Sequence, residues 1–179
     1  MTNAHRTSLV ALALLFAASC GKVEKKPAKP VEPVWKKVAS IGIEVQVHPD
    51  ADVQDNTASS GFPSSTIYSP DGTPTTFVFG AKNLDESIAI SKDFDATKAR
   101  VQKEHNGFKA FSKEVKAADG VGFELRYSGT DMSEKEKPLF GITIRTKVGD
   151  TVLDCSTNAS TEAEIEMTAK VCSSIRAAK

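Results

Sequence analysis

Three stretches in the second half of the chain alternate apolar residues with polar or small ones. The first has Val121, Phe123, Leu125 and Tyr127 at every second position, and the others cover residues 140–145 and 151–155. A period of two residues is typical of a β-strand that buries one face. Because short turn segments separate these stretches, they predict antiparallel hairpins. A further alternation over residues 41–48 predicts a strand near the start of the domain.

Two helices are predicted beside the strands. Asp93 or Asp95 can cap a helix that ends near His105, and Thr161 forms a capping box with Glu164 at the start of a last helix. We therefore expect an α+β fold. It consists of an antiparallel sheet, a C-terminal helix packed on one face of that sheet, and a shorter middle helix.

A disulfide is predicted between the last strand and the last helix. The chain has three cysteines, and Cys155 shares a strand face with Leu153 while Cys172 lies on the apolar stripe of the helix. Both thiols then point into the same interface, where a bond between them joins helix and strand. The alternative is a pair of buried free thiols.

The first 19 residues are predicted to be a signal peptide. Residues 9–16 form an apolar run that is too short for a membrane span, which needs roughly 20 apolar residues. The small residues 17–19 precede Cys20, and this stretch resembles the bacterial lipobox, in which the cysteine is lipidated and anchors the protein. The alternative is cleavage by an ordinary signal peptidase, since Ala17 stands where leucine is commonest.

Residues 20–37 are predicted to be a tether. After Cys20 this segment contains six lysines, two glutamates and prolines at positions 27, 30 and 33. Proline at every third position suits a polyproline II helix, which has three residues per turn. A flexible coil of the same composition is the alternative. Residues 38–179 then form one domain.

The charge of the predicted domain excludes one class of partner. Residues 38–179 contain 16 basic and 21 acidic residues, a net charge of −5. A protein that binds nucleic acid normally presents a basic surface, so we expect no nucleic-acid partner. The basic tether beside a lipid anchor favours an anionic membrane instead.

The order of these elements resembles a known family. The segments "IGIEVQVHPDADV", "DGVGFELRYSG", "PLFGITIRTKVGDTVLDCST" and "KVCSSIR" follow one another as in bacterial envelope lipoproteins of the PsbP-like α/β class. The resemblance implies an antiparallel sheet with helices packed on it. It implies a binding or accessory role and no reaction.

The rest of the chain carries none of the common motifs for catalysis or metal binding. It contains no G-x-S-x-G nucleophile elbow, no P-loop and no cysteine pair with metal spacing. We therefore predict a protein that is not an enzyme and that has no cofactor or metal.

The polar positions of three predicted strands suggest a binding face. If the apolar residues of these strands all point to one side, Glu44, Glu124, Arg126 and Arg145 share the other. We predict these four as ligand-binding residues. The alternative is a solvated face with cross-strand ion pairs, such as Glu124 with Arg145.

The sequence thus predicts a lipoprotein of the bacterial cell envelope that faces the periplasm. Its partners are the membrane, through a lipid (palmitate) anchor at Cys20, and an envelope protein or a small ligand. A structural envelope protein without a small ligand is the alternative function, followed by an enzyme.

Overall fold

The computed structural model describes residues 31–81, 93–131 and 136–179. The predicted signal peptide, residues 1–19, and Cys20 lie outside these ranges. In chain order the helices and strands are β1 (Val34–Val38), β2 (Ile43–Val47), β3 (Asp52–Asp55), α1 (Thr57–Ser60), β4 (Ser64–Tyr68), β5 (Pro74–Ala81), α2 (Phe94–Glu104), β6 (Phe108–Lys116), β7 (Phe123–Asp131), β8 (Lys137–Val148), β9 (Thr151–Ala159), α3 (Glu162–Ser173) and β10 (Arg176–Ala177).

The strands form two antiparallel sheets. The larger sheet has the strand order β3-β4-β5-β9-β8-β7-β6, and the smaller one has the order β1-β2-β10. Helix α3 packs on one face of the larger sheet, and α2, with 11 residues against 12 in α3, is the shorter middle helix. The predicted α+β class is confirmed.

Both long helices begin where the sequence predicts. The Asp93 carboxylate accepts a hydrogen bond from the backbone N–H of Ala96, and Thr161 and Glu164 form the predicted capping box. Such caps satisfy N–H groups that have no partner within the helix. Among the described residues, no helix has both the length and the apolar character needed to cross a bilayer.

The two faces of the larger sheet pack against different helices. On one face, Ile142 of β8 packs against Ile165 and Ala169 of α3. On the other, the ring of Phe123 of β7 lies 5.5 Å from that of Phe94, the first residue of α2. The sheet is therefore the middle layer between α2 and α3.

This arrangement corrects the prediction that the apolar residues of these strands share one face. In the β7–β8 hairpin, Leu125 lies opposite Thr143 and Arg126 lies opposite Ile142. Residues that lie directly opposite each other point to the same side of a sheet. The apolar side chains of β7 thus point towards α2, and those of β8 point towards α3.

The predicted disulfide between β9 and α3 is present. Cys155 and Cys172 are bonded, with their Cα atoms 5.8 Å apart, and both are buried. They lie in a core cluster with Leu153 and Val78. The bond therefore holds α3 against the middle of the larger sheet.

The folded part of the chain begins before residue 38. Strand β1 starts at Val34, so Val34–Lys37, which the sequence analysis placed in the tether, pair with β2. Trp35 lies in this strand, and the guanidinium carbon of Arg176 is 3.4 Å from its ring centroid. This contact links the first and last strands of the smaller sheet.

Candidate functional site

The first predicted binding residue, Glu44, lies on the smaller sheet. The Arg176 guanidinium donates hydrogen bonds to its carboxylate, at 2.9 Å from Nη2 and 3.1 Å from Nε. These hydrogen bonds lower the pKa of Glu44. Glu44 thus neutralises the cation that covers Trp35, and it lies on a different sheet from the other predicted binding residues.

Glu124 and Arg126 of β7 belong to a charge cluster on the α3 side of the larger sheet. Lys113 of β6 lies 2.7 Å from Glu124, and Arg126 contacts both Glu124 and Glu166 of α3. The hydrogen bond to Glu166 is the main reason that the pKa of Arg126 is raised. We call Lys113, Glu124, Arg126 and Glu166 the β7 charge cluster.

Arg145 is buried on the opposite face, beneath α2. It is 3% exposed, and its Nε and Nη2 atoms donate to the two carboxylate oxygens of Asp154 at 2.7 and 2.8 Å. The pair of Arg145 with Glu124, which illustrated the alternative of a solvated face, does not form. These residues point to opposite faces, whereas Asp154 lies directly opposite Arg145 on β9.

The structure therefore does not bring the four predicted residues into one surface. Two glycines at polar positions of these strands are explained by the fold itself. Gly42 lies in the turn after β1 with φ +76°, and a Cβ atom on Gly141 would lie 2.0 Å from Cζ of Tyr127. The tyrosine ring occupies the space above Gly141.

A concave site lies on the α2 side of the sheet, where β5, β9 and β8 are not covered by the helix. It has a volume of about 550 Å³, and we call it the α2 cavity. Its helix wall consists of Arg100, Val101, Glu104 and His105. Its aromatic wall consists of Phe62, Phe77 and Phe79. Its sheet floor consists of Tyr127, Thr143, Asp154, Ser156, Thr157 and Asn158.

A hydrogen-bonded chain of three side chains forms one end of the α2 cavity. The Tyr127 hydroxyl donates to Oδ1 of Asn158 at 2.6 Å and lies 2.7 Å from Nε2 of His105. Since that hydroxyl donates its one hydrogen to Asn158, Nε2 of His105 is the donor to Tyr127. Burial lowers the pKa of His105 and raises the pKa of Tyr127, so both side chains are neutral near pH 7.

Arg100 brings a cation to the helix wall. Its Nε atom is buried and has no hydrogen-bond partner among the described residues. Its Nη1 atom lies 3.9 Å from Glu104, which is beyond hydrogen-bond distance. The Arg100 side chain is nevertheless 38% exposed, so its guanidinium lines the cavity where an acceptor could approach it.

The aromatic wall is apolar and partly open. The Phe62 and Phe79 rings lie 5.6 Å apart, and Phe77 is 40% exposed. On β5, Phe77 lies opposite Ser156 and Phe79 lies opposite Asp154, so both rings share the face that carries the polar floor. The α2 cavity therefore offers an apolar surface beside converging polar groups.

A second hollow lies between α3 and strands β2, β4 and β5. It has a volume of about 600 Å³ and is mostly apolar, with Met167 54% exposed at its edge. Lys170 and His48 are the ionisable groups among its described lining residues. We favour the α2 cavity as the functional site because polar groups converge there on an apolar wall.

The sequence analysis missed the α2 cavity for identifiable reasons. Arg100 and His105 lie on a helix whose apolar face is thin, and Tyr127 lies at an apolar position of an alternating strand. The one available signal was a histidine placed at a predicted helix end. Among the described residues, no three histidine, cysteine, aspartate or glutamate side chains are grouped so as to hold a metal.

Comparison with known proteins identifies the fold. No protein-family model and no curated protein sequence matches the chain. The Saccharomyces cerevisiae Ran-binding protein Mog1p aligns with a TM-score of 0.50 and 13% identity, over 82% of this chain and 95% of Mog1p. Cyanobacterial PsbP (CyanoP) from Synechocystis sp. PCC 6803 aligns with a TM-score of 0.53 and 10% identity, over 90% of this chain and 98% of CyanoP. At these identities the likeness shows the fold alone, which is that of the predicted PsbP-like α/β class.

Proposed function

We propose that this protein is a lipid-anchored binding module of the bacterial cell envelope, and that the α2 cavity is its binding site. The observation that carries the binding role is the placement of the Arg100 guanidinium and three phenylalanine rings in one cavity. A site with a few convergent polar groups on an apolar wall is typical of small-molecule binding.

The envelope location rests on the start of the chain and on the cysteines. The apolar run before Cys20 matches an export signal with a lipobox-like end, and residues 20–33 would then serve as the tether. The Cys155–Cys172 bond suits an oxidising compartment. Mog1p, which shares the fold, is described as a Ran-binding protein, so one chain with this fold has a partner.

The binding roles predicted from the sequence for Glu44, Glu124, Arg126 and Arg145 stay predictions. Of these four residues, a partner could reach Glu124 and Arg126 in the β7 charge cluster, because the Glu166 side chain that contacts Arg126 is 58% exposed. An acidic group on an envelope protein could replace Glu166 on Arg126. The burial of Arg145 favours a structural role for that residue instead.

The anchor can be tested at Cys20. We expect Cys20→Ala to abolish labelling by a palmitate analogue and to release the protein from the membrane fraction, because the lipidated thiol is then missing. Lys22→Ala, two residues away, should change neither the labelling nor the amount of protein in the membrane fraction. If wild type and Cys20→Ala divide equally between membrane and soluble fractions, the lipoprotein proposal is wrong.

The binding role can be tested by filling the cavity. Ser156 lies on its floor, and Ser156→Trp places a large ring there. We expect native mass spectrometry of protein purified from its own envelope to detect a bound small molecule that Ser156→Trp has lost. Ser112→Trp makes the same change at an exposed strand position and should keep the molecule. If wild type carries no small molecule, the alternative of a purely structural envelope protein is supported.

A further inference from the structure

The helix wall of the α2 cavity is suited to an anion. Arg100 lines this wall with a side chain that is 38% exposed, and its planar guanidinium can bind a carboxylate through two parallel hydrogen bonds. Arg100, His105 and Tyr127 all line the same cavity. An anion bound to Arg100 would therefore meet two neutral polar side chains.

The other charges of the cavity favour a single negative charge on the ligand. Asp154 is already neutralised by its two hydrogen bonds from Arg145. Glu104 is 3.9 Å from Arg100 and repels any anion, about twice as strongly when the anion carries two charges. A monocarboxylate therefore suits the cavity better than a dianion such as a phosphate monoester.

The opposite wall favours a flat apolar body. Phe77 keeps 40% of its surface exposed, next to the packed rings of Phe62 and Phe79. Covering exposed aromatic surface with a ring is favourable both through buried apolar area and through ring–ring contact. The volume of about 550 Å³ lies in the ordinary range for pockets that bind small organic molecules.

We propose that the α2 cavity binds a small monocarboxylate with an aromatic or other flat apolar body, its carboxylate on Arg100 and its body against Phe77. The proposal rests on the proposed binding function and specifies its ligand. In the chain of His105, Tyr127 and Asn158, the amide NH2 of Asn158 is the donor that remains, because the other two side chains donate within the chain.

The proposal is tested by titrating the purified protein with three probes and following amide shifts by NMR. The probes are 3-phenylpropionate, its amide 3-phenylpropionamide, and acetate. We expect 3-phenylpropionate to bind about tenfold more tightly than the amide, since a charge-assisted pair adds at least that factor. Acetate, which lacks the apolar body, should bind more weakly than 3-phenylpropionate.

Two substitutions at one position separate charge from geometry. Arg100→Gln should weaken binding of the acid about tenfold and remove its advantage over the amide. Arg100→Lys should retain part of that advantage, because the charge remains but the planar fork is lost. Lys103→Gln removes one positive charge from an exposed position of the same helix. It should leave the affinities for the acid and for the amide unchanged. Thermal melting of each variant checks that it is folded.

The failures of the two proposals can be told apart. If acid and amide bind equally and Arg100→Gln has no effect, the carboxylate inference is wrong while the cavity remains a binding site. If none of the probes binds, the inference is also overturned. In that case, a small molecule that co-purifies with wild type but not with Ser156→Trp would still support the binding module.

Discussion

The Asp154→Ala variant is expected to lose about 3–5 kcal/mol of unfolding free energy, as found when one partner of a buried ion pair is removed. The physical reason is the guanidinium of Arg145. It is buried against the Phe123 ring, 4.7 Å from its centroid, and without Asp154 it has no carboxylate to compensate its charge. Typical domains have only about 5–15 kcal/mol of stability, so the loss is a large fraction of the total.

Urea unfolding followed by circular dichroism measures this loss. Asp150→Ala, in the exposed turn of the same hairpin, is the matched control and should change stability by less than about 0.5 kcal/mol. The double variant Arg145→Met with Asp154→Leu should recover most of the stability, because two apolar side chains leave no buried charge. If Asp154→Ala lowers the unfolding free energy by less than about 1 kcal/mol, the expected contribution of the Arg145–Asp154 pair to stability is wrong.

The double variant Cys155→Ala with Cys172→Ala is expected to be about 3 kcal/mol less stable than the oxidised wild type. The bond joins residues 17 positions apart, and without it the unfolded chain gains the freedom that this loop closure had removed. Cys172→Ala alone should cost more if its orphaned partner thiol forms wrong bonds. The measurement is urea unfolding with and without dithiothreitol.

Wild-type protein in dithiothreitol is the internal control for this experiment, and it should approach the stability of the double variant. An identical urea midpoint for oxidised wild type and the double variant would show that the bond adds nothing to stability. Both thiols are buried, so reduction is expected to require opening of the contact between α3 and β9.

Local patterns in the sequence predicted the elements of the fold well. Alternation identified β2, β7, β8 and β9, because the order of apolar and polar residues within one strand shows which of them share a face. The caps at Asp93 and Thr161 were equally local signals. Strands β1 and β10 were not predicted, since one is rich in lysine and the other has two residues.

Relations between elements could not be predicted in the same way. Alternation in β7 and in β8 does not show whether the apolar side chains of each strand point to the face covered by α2 or to the face covered by α3. That depends on the register of the hairpin, which places Leu125 opposite Thr143. For this reason Arg145 was expected on an open face and is found buried with Asp154.

The α2 cavity was harder to predict, because it is formed by several parts of the chain that are far apart in sequence. His105 and Tyr127 are 22 residues apart, and Tyr127 and Asn158 are 31 residues apart. The phenylalanine wall comes from residues 62–79. The pairing of β5 with β9 places the phenylalanine rings of β5 beside the strand that carries Asn158.

The pairing of β5 with β9 also bears on when the chain can fold. Val78 meets Cys155 across the middle of the larger sheet, so this sheet cannot close until nearly the whole domain has been synthesised. Sheets that depend on such distant contacts fold slowly, in milliseconds to seconds. Under the proposed export, this dependence would keep the larger sheet open until β9 has been synthesised.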